Sequence, residues 1–235
     1  MNGFDREHKG PNLGALAIVF TILFNLGLYF VISFIPGHVH FPGPWESAET
    51  ITTYFREHSR AVLMCAFFQF GSAIPLGLFT ATLVSRLRFL GVRAAGVHIA
   101  LFGGLMTAFN LALSALALWV MAYPGIAADG PVIRALYYFV FAVGGVGYSV
   151  PLGLLMAGTS VSAGIPKLLP RWVALFGILL AICGELSWLS LVFPKLLFFF
   201  PLTRFPGFIW LITTGFALPK VAPLREMAGT ERLAA

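Results

Sequence analysis

The chain has 235 residues, of which 59% are hydrophobic and 15% aromatic, and its mean hydropathy is +0.90. These values exclude an ordinary soluble domain and indicate a polytopic membrane protein. The net charge of +6 arises from basic residues in short segments beside apolar runs, so it reads as a topology and lipid-headgroup signal and not as nucleic-acid binding.

Six apolar stretches are predicted to span as helices in one membrane domain covering residues 1–235: 13–35, 61–85, 95–121, 135–159, 172–193 and about 203–218. A helix needs roughly 20 residues to cross about 30 Å of hydrocarbon, and the first five meet this. The first run, Leu13 to Ile35, is too long for a signal-peptide core. The segment before it mixes Asp5, Arg6, Glu7 and Lys9, so it is read as a retained span.

An outer loop is expected over 36–60. Prolines and glycines make Pro36 to Pro44 irregular, and a short amphipathic helix is expected from Ser47, with Ser47 as N-cap and Glu49 in the first turn. Ile51, Tyr54, Phe55 and His58 then share a face. No breaker separates this helix from the second span, so it either continues as one long helix or bends onto the interface with Trp45 and Tyr54 as belt residues. His38 and His40 form an H-x-H pair, a weak metal signal without H-E-x-x-H or a sequence-defined third ligand; no metal is assigned.

The second and fourth spans carry matching segments, Gly71-Ser-Ala-Ile-Pro75-Leu-Gly-Leu and Gly147-Tyr-Ser-Val-Pro151-Leu-Gly-Leu. A second pair follows, Ala100-Leu-Phe-Gly103 and Ala174-Leu-Phe-Gly177. Together they suggest a parallel repeat of helix pairs 2–3 and 4–5. Pro75 and Pro151 are expected to kink their helices and each to free the carbonyl four residues earlier. Such breaks persist in membranes only where protein covers them or a cavity is lined by them.

Counting along each span places Asn25, Gln69, Asn110, Tyr148 and Glu185 roughly 12 to 20 Å below the outer boundary. They are read either as the lining of one pocket or as separate interhelical hydrogen bonds. Glu185 is read as the one ionised residue in the spans, with no charged partner at i±3 or i±4. A buried carboxyl is cheaper neutral than ionised, and a neutral acid can donate a hydrogen bond or deliver a proton. Cys65 and Cys183 fall inside spans as small hydrophobes. The aromatic lead-in Leu196 to Leu202, broken by Pro201 and Pro206, reads as an interfacial segment before the sixth span.

The N-terminal tail, the second and fourth loops and the C-terminal tail hold Arg6, Lys9, Arg86, Arg88, Arg93, Lys167, Arg171, Lys220, Arg225 and Arg232. The first, third and fifth loops hold Arg56, Arg60, Arg134, Lys195 and Arg204. This bias predicts both termini in the cytoplasm, with 219–235 as a cytoplasmic tail. There is no Walker loop, G-x-S-x-G, C-x-x-C-H or dinucleotide fingerprint to name a cofactor.

The long first outer loop, together with Leu168-Leu-Pro-Arg-Trp-Val-Ala-Leu-Phe-Gly177 opening the fifth span, resembles bacterial multispan membrane proteins grouped under a domain of unknown function. The resemblance implies a bacterial inner-membrane location and no activity. Three functions fit the sequence. The first is binding or transport of a small or lipophilic molecule, with Glu185 as an intramembrane acid. The second is an embedded enzyme acting on a lipid or isoprenoid. The third is a structural subunit, either of a homo-oligomer or of a larger membrane complex.

Overall fold

The computed structural model describes residues 7–31 and 40–221. The described residues are helical without a strand, apart from an isolated antiparallel bridge between Glu7 and Val221. In chain order the helices are α1 (Leu13–Tyr29), α2 (Ala48–Glu57), α3 (Ser59–Phe89), α4 (Gly96–Met121), the single turn α5 (Pro124–Ala127), α6 (Gly130–Gly144), α7 (Val146–Gly164), α8 (Arg171–Leu186) and α9 (Phe199–Ala217). Two 3-10 turns, Ser187–Leu191 and Pro194–Phe198, join α8 to α9.

Five stretches are long and apolar enough to cross a membrane: α3, α4, the α6–α7 stretch Gly130–Gly164, Arg171–Leu191 and Pro194–Ala217. The chain is therefore a multi-pass helical membrane protein. α1 is apolar but has 17 residues, shorter than the 13–35 span expected; residues 32–35 lie outside the described residues.

Local chemistry sets the helix starts. The Asn12 side chain accepts from Ala15 N at 3.3 Å to open α1, and Asp129 accepts from Val132 N at 3.2 Å to open α6. Ser47 caps α2 as expected, accepting from Thr50 N at 3.1 Å. α2 buries Ile51, Tyr54 and Phe55 in a cluster with Ile133 and Tyr137 of α6. That packing requires an axis different from α3, and the chain turns at His58 (φ −114°, ψ 24°). The long continuous helix is thus replaced by two helices.

Three further boundaries differ from expectation. The 135–159 span is two helices, broken at Gly145 (φ −89°, ψ −92°). A Cβ there would lie 2.5 Å from both the Phe141 carbonyl and the Phe200 ring, so the close approach of α9 requires glycine. The α-helical part of 172–193 ends at Leu186 and tightens into the 3-10 turn. The last helix starts at Phe199 rather than 203. Pro201 is tolerated because it falls in the first turn, where its missing N–H has no intrahelical acceptor.

α7 is central, packed against α4, α6, α8 and α9. The two ends of the described chain meet on one end of the bundle. His8 N donates to Lys220 O at 2.9 Å, and Gly14 of α1 lies against Gly215 of α9. Arg86, expected in a loop, instead lies in the last turns of α3, 1% exposed, and donates to the Leu218 carbonyl at 3.5 Å. Leu218 follows the C-terminus of α9, where a cation complements the exposed carbonyls. Buried apolar side chains form two clusters. The larger runs through α1, α3, α4, α7, α8 and α9; the smaller joins α2 to the neighbouring ends of α3, α4 and α6.

Candidate functional site

Between those clusters lies a cavity of about 480 Å³ at the end of the bundle opposite the paired termini. Its walls are largely apolar, with Phe24 and Leu28 from α1, Leu111 and Leu118 from α4, and Phe141 from α6. The polar groups among its lining residues are few: Gln69 of α3, Ser114 of α4, Arg204 of α9, and His40 before α2. This mixture, with most of the wall apolar and a few polar groups set in it, is characteristic of small-molecule sites.

One wall is the break between α6 and α7. A helix end exposes carbonyls that have no partner within the helix, and in hydrocarbon each must find a donor. Here side chains from neighbouring helices provide them. Ser114 Oγ donates to the Val140 carbonyl at 3.4 Å, whereas the Phe141 carbonyl is met by the backbone itself, from Gly145 N at 2.8 Å. The Arg204 guanidinium donates to Gly144. Pro151 frees the Gly147 carbonyl four residues earlier, and Asn110 Nδ2 donates to it. Asn110 and Ser114 are four residues apart on α4, so one face of a helix serves two successive defects in its neighbour.

Asn110→Ala should leave the Gly147 carbonyl buried without a donor, at about 1–3 kcal/mol. Asn25→Ala should be close to neutral, since Asn25 is exposed and only returns to the Thr21 carbonyl of its own helix at 2.7 Å. Thermal unfolding of the two variants in the same detergent separates them. Equal midpoints for both would show that Asn110 holds nothing.

Arg204 is the feature that residue-by-residue reading assigned to a loop. It sits inside the last apolar stretch, with Tyr148 beneath its guanidinium at 4.6 Å from the ring centroid and Phe24 at 5.3 Å. Its Nε is buried without a hydrogen-bond partner. Among the described residues the ion pairs are His40 with Glu46 and Arg56 with Glu57; Arg204 has none. The expected start of the sixth span at 203 already enclosed Arg204. Two flanking prolines made the lead-in look non-helical and disguised a half-buried cation as a loop residue.

The polar residues expected at one depth do not form one pocket. Gln69 lines the cavity while its Nε2 donates to the Phe24 carbonyl at 3.2 Å. Tyr148 is fully buried behind Arg204, and Asn110 lies behind the α6–α7 wall. Asn25 faces outward. Glu185 ends α8 against α7, where its Oε1 is buried without a partner and 3.2 Å from where a Gly153 Cβ would stand. It does not line the cavity.

Above the cavity, Phe41 packs its ring 5.3 Å from Tyr54 and 5.9 Å from Phe55, and Tyr137 Oη donates to the Pro42 carbonyl at 2.7 Å. These contacts seat the segment before α2 over the opening. His40 Nε2 lies 3.0 Å from Glu46 Oε1; His38 lies outside the described residues. Among the described residues no three His, Cys, Asp or Glu side chains converge as metal donors.

The chain matches no family model, no curated protein and no solved structure. The resemblance to bacterial multispan proteins therefore rests on Leu168–Gly177 and the first outer loop alone.

Proposed function

We propose that this protein binds a small lipophilic molecule inside the bilayer and transports it, with the cavity between α1, α3, α4, α6 and α9 as its site. The observation carrying this reading is the apolar cavity of about 480 Å³ walled by a broken helix. Its volume falls within the range of pockets that enclose small organic ligands. Discontinuous helices around an internal site are a recurrent transporter device. The paired prolines Pro75 and Pro151, in α3 and α7, fit a parallel repeat of helix pairs α3–α4 and α7–α8.

The same reading takes α1 as a sixth span. Its 17 residues rise about 25 Å, and Ile18, Val19, Ile22 and Leu26 present an apolar face outward. Six crossings put both termini on one side, in keeping with the Glu7–Val221 bridge, and the bias of basic residues makes that side cytoplasmic. The resemblance to bacterial multispan proteins is what makes this membrane, in the same reading, a bacterial inner membrane. Glu185 serves as the proton-linked acid, acting across α7 from the cavity and not within it.

Equilibrium dialysis of the protein in phosphatidylcholine nanodiscs against dodecanoate and dodecanol tests the site. At least one probe should bind in equimolar amount, and Ala115→Trp, which fills the cavity from α4, should abolish binding. If neither probe binds above empty nanodiscs, the reading fails. For Glu185 the readout is uptake of the bound probe into liposomes; pH dependence unchanged in Glu185→Gln removes the residue from the mechanism.

A further inference from the structure

We infer that the ligand of this cavity is a monoanionic amphiphile, whose charged headgroup pairs with Arg204 while hydrocarbon lies along the phenylalanine and leucine walls; this rests on the cavity being the binding site. Arg204 first serves the fold, as a donor to the broken helix. Its bond to the Gly144 carbonyl requires one N–H donor. A neutral glutamine or asparagine can supply that donor, as Asn110 does for Gly147 on the same broken helix. Capping therefore accounts for a donor and leaves the positive charge unexplained.

A charge at this position is expensive. Moving an unpaired guanidinium out of water costs several kcal/mol even after relaxation, and intramembrane arginines are normally paired or turned to a polar cavity. No carboxylate lines this cavity, and no described carboxylate pairs with Arg204. Glu185 lies against α7 beside Gly153 and is not among the lining residues. The Tyr148 and Phe24 rings lie beside the guanidinium, stabilising a cation in place without neutralising it. An arginine has five N–H donors in a planar fork suited to a carboxylate or a phosphate oxygen pair. Gln69 and Ser114 add neutral hydrogen-bonding groups to the same lining.

The counter-charge that completes the site must therefore come with the ligand. One arginine matches one negative charge, which selects a fatty carboxylate or a phosphodiester over a phosphomonoester dianion. The apolar walls select a hydrocarbon chain.

The discriminating comparison is between dodecanoate and dodecanol, which share a chain and differ in charge, in neutral phosphatidylcholine nanodiscs at neutral pH. Dodecanoate should bind at least about tenfold more tightly, the equivalent of one charge-assisted hydrogen bond. Arg204→Gln, which keeps a donor for Gly144, should erase the preference while retaining dodecanol binding; Arg204→Lys should keep a preference for the anion. Equal affinity for the two probes in the parent protein overturns the inference and leaves the cavity reading standing. Binding of neither probe overturns both. Phosphatidylglycerol in the nanodisc identifies the natural source: displacement of dodecanoate assigns the headgroup to a lipid, and undiminished binding assigns it to a free acid. Either result supports the inference.

Discussion

Gly158→Ala and Gly103→Ala should each lower the apparent melting temperature by roughly 2–12 °C, while Gly71→Ala leaves it unchanged or slightly raised. All three are helical glycines in long apolar stretches, and only packing separates them. A Cβ on Gly158 would meet the Gly96 carbonyl and stand 2.7 Å from Ala100 N, both backbone atoms of α4. A Cβ on Gly103 would stand 2.5 Å from the Pro151 carbonyl and 2.6 Å from Leu155 N. Backbone cannot rotate away as a side chain can, so α4 and α7 must separate along their seam. Overpacking of this kind costs roughly 1–3 kcal/mol, and each kcal/mol corresponds to about 2–4 °C in a chain of this size. Gly71 has nothing within 4 Å of its Cβ position, so alanine there only gains helix propensity, up to about 1 kcal/mol. Retention of monomeric protein on gel filtration after heating gives the midpoints. Similar values for all three variants would mean that the α4–α7 seam is not closely packed.

Arg204→Met should stay within about 2 kcal/mol of the parent's stability while losing the preference for an anionic probe. The losses are the donor to Gly144, about 1–3 kcal/mol, and two ring contacts of about 0.5–2 kcal/mol each. Against them stands the several kcal/mol needed to bury an unpaired cation, which an apolar side chain of similar length no longer incurs. These terms are comparable, so the net change should lie within about 2 kcal/mol of zero. A much larger loss of stability would identify Arg204 as a structural pin for the α6–α7 break. Neutral or improved stability with lost selectivity identifies a charge retained for binding. Melting curves recorded with and without dodecanoate report both quantities.

Much of the architecture is legible along the chain because the bilayer imposes a length and a composition on each crossing. Ser47 announces α2, since a short side chain with an acceptor oxygen precedes an amphipathic run, and Ser47 does cap it. Pro151 announces a freed carbonyl four residues earlier, and the structure supplies the donor, Asn110. The break at Gly145 is less visible. Gly144, Gly145 and Gly147 read equally well as a seam for close helix approach, and only the Phe200 ring against Gly145 shows why the backbone turns there.

The site was legible in fragments. Gln69, Asn110 and Tyr148 stand at or beside the cavity region, whereas Asn25 faces outward and Glu185 occupies a different interhelical crevice. Counting residues along a helix gives depth; it says nothing about rotation around the helix axis, which decides whether two polar groups at one depth meet. Arg204 was hidden for a related reason. Beside Pro201 and Pro206 a cation reads as loop, and it becomes a half-buried charge inside the bundle only once the lead-in is helical and packed beneath the α6–α7 break.

The sequence by itself determined the solvent, the helical class, the approximate positions of the spans and the proline defects, because hydrophobic run length, capping chemistry and a missing N–H are local properties. Tertiary structure alone decided which carbonyls those defects leave for which donors, where two apolar clusters fail to meet, and that the charge facing the gap is Arg204. Those outcomes depend on how helices distant in sequence rotate and cross, and packing between them is what sets that geometry.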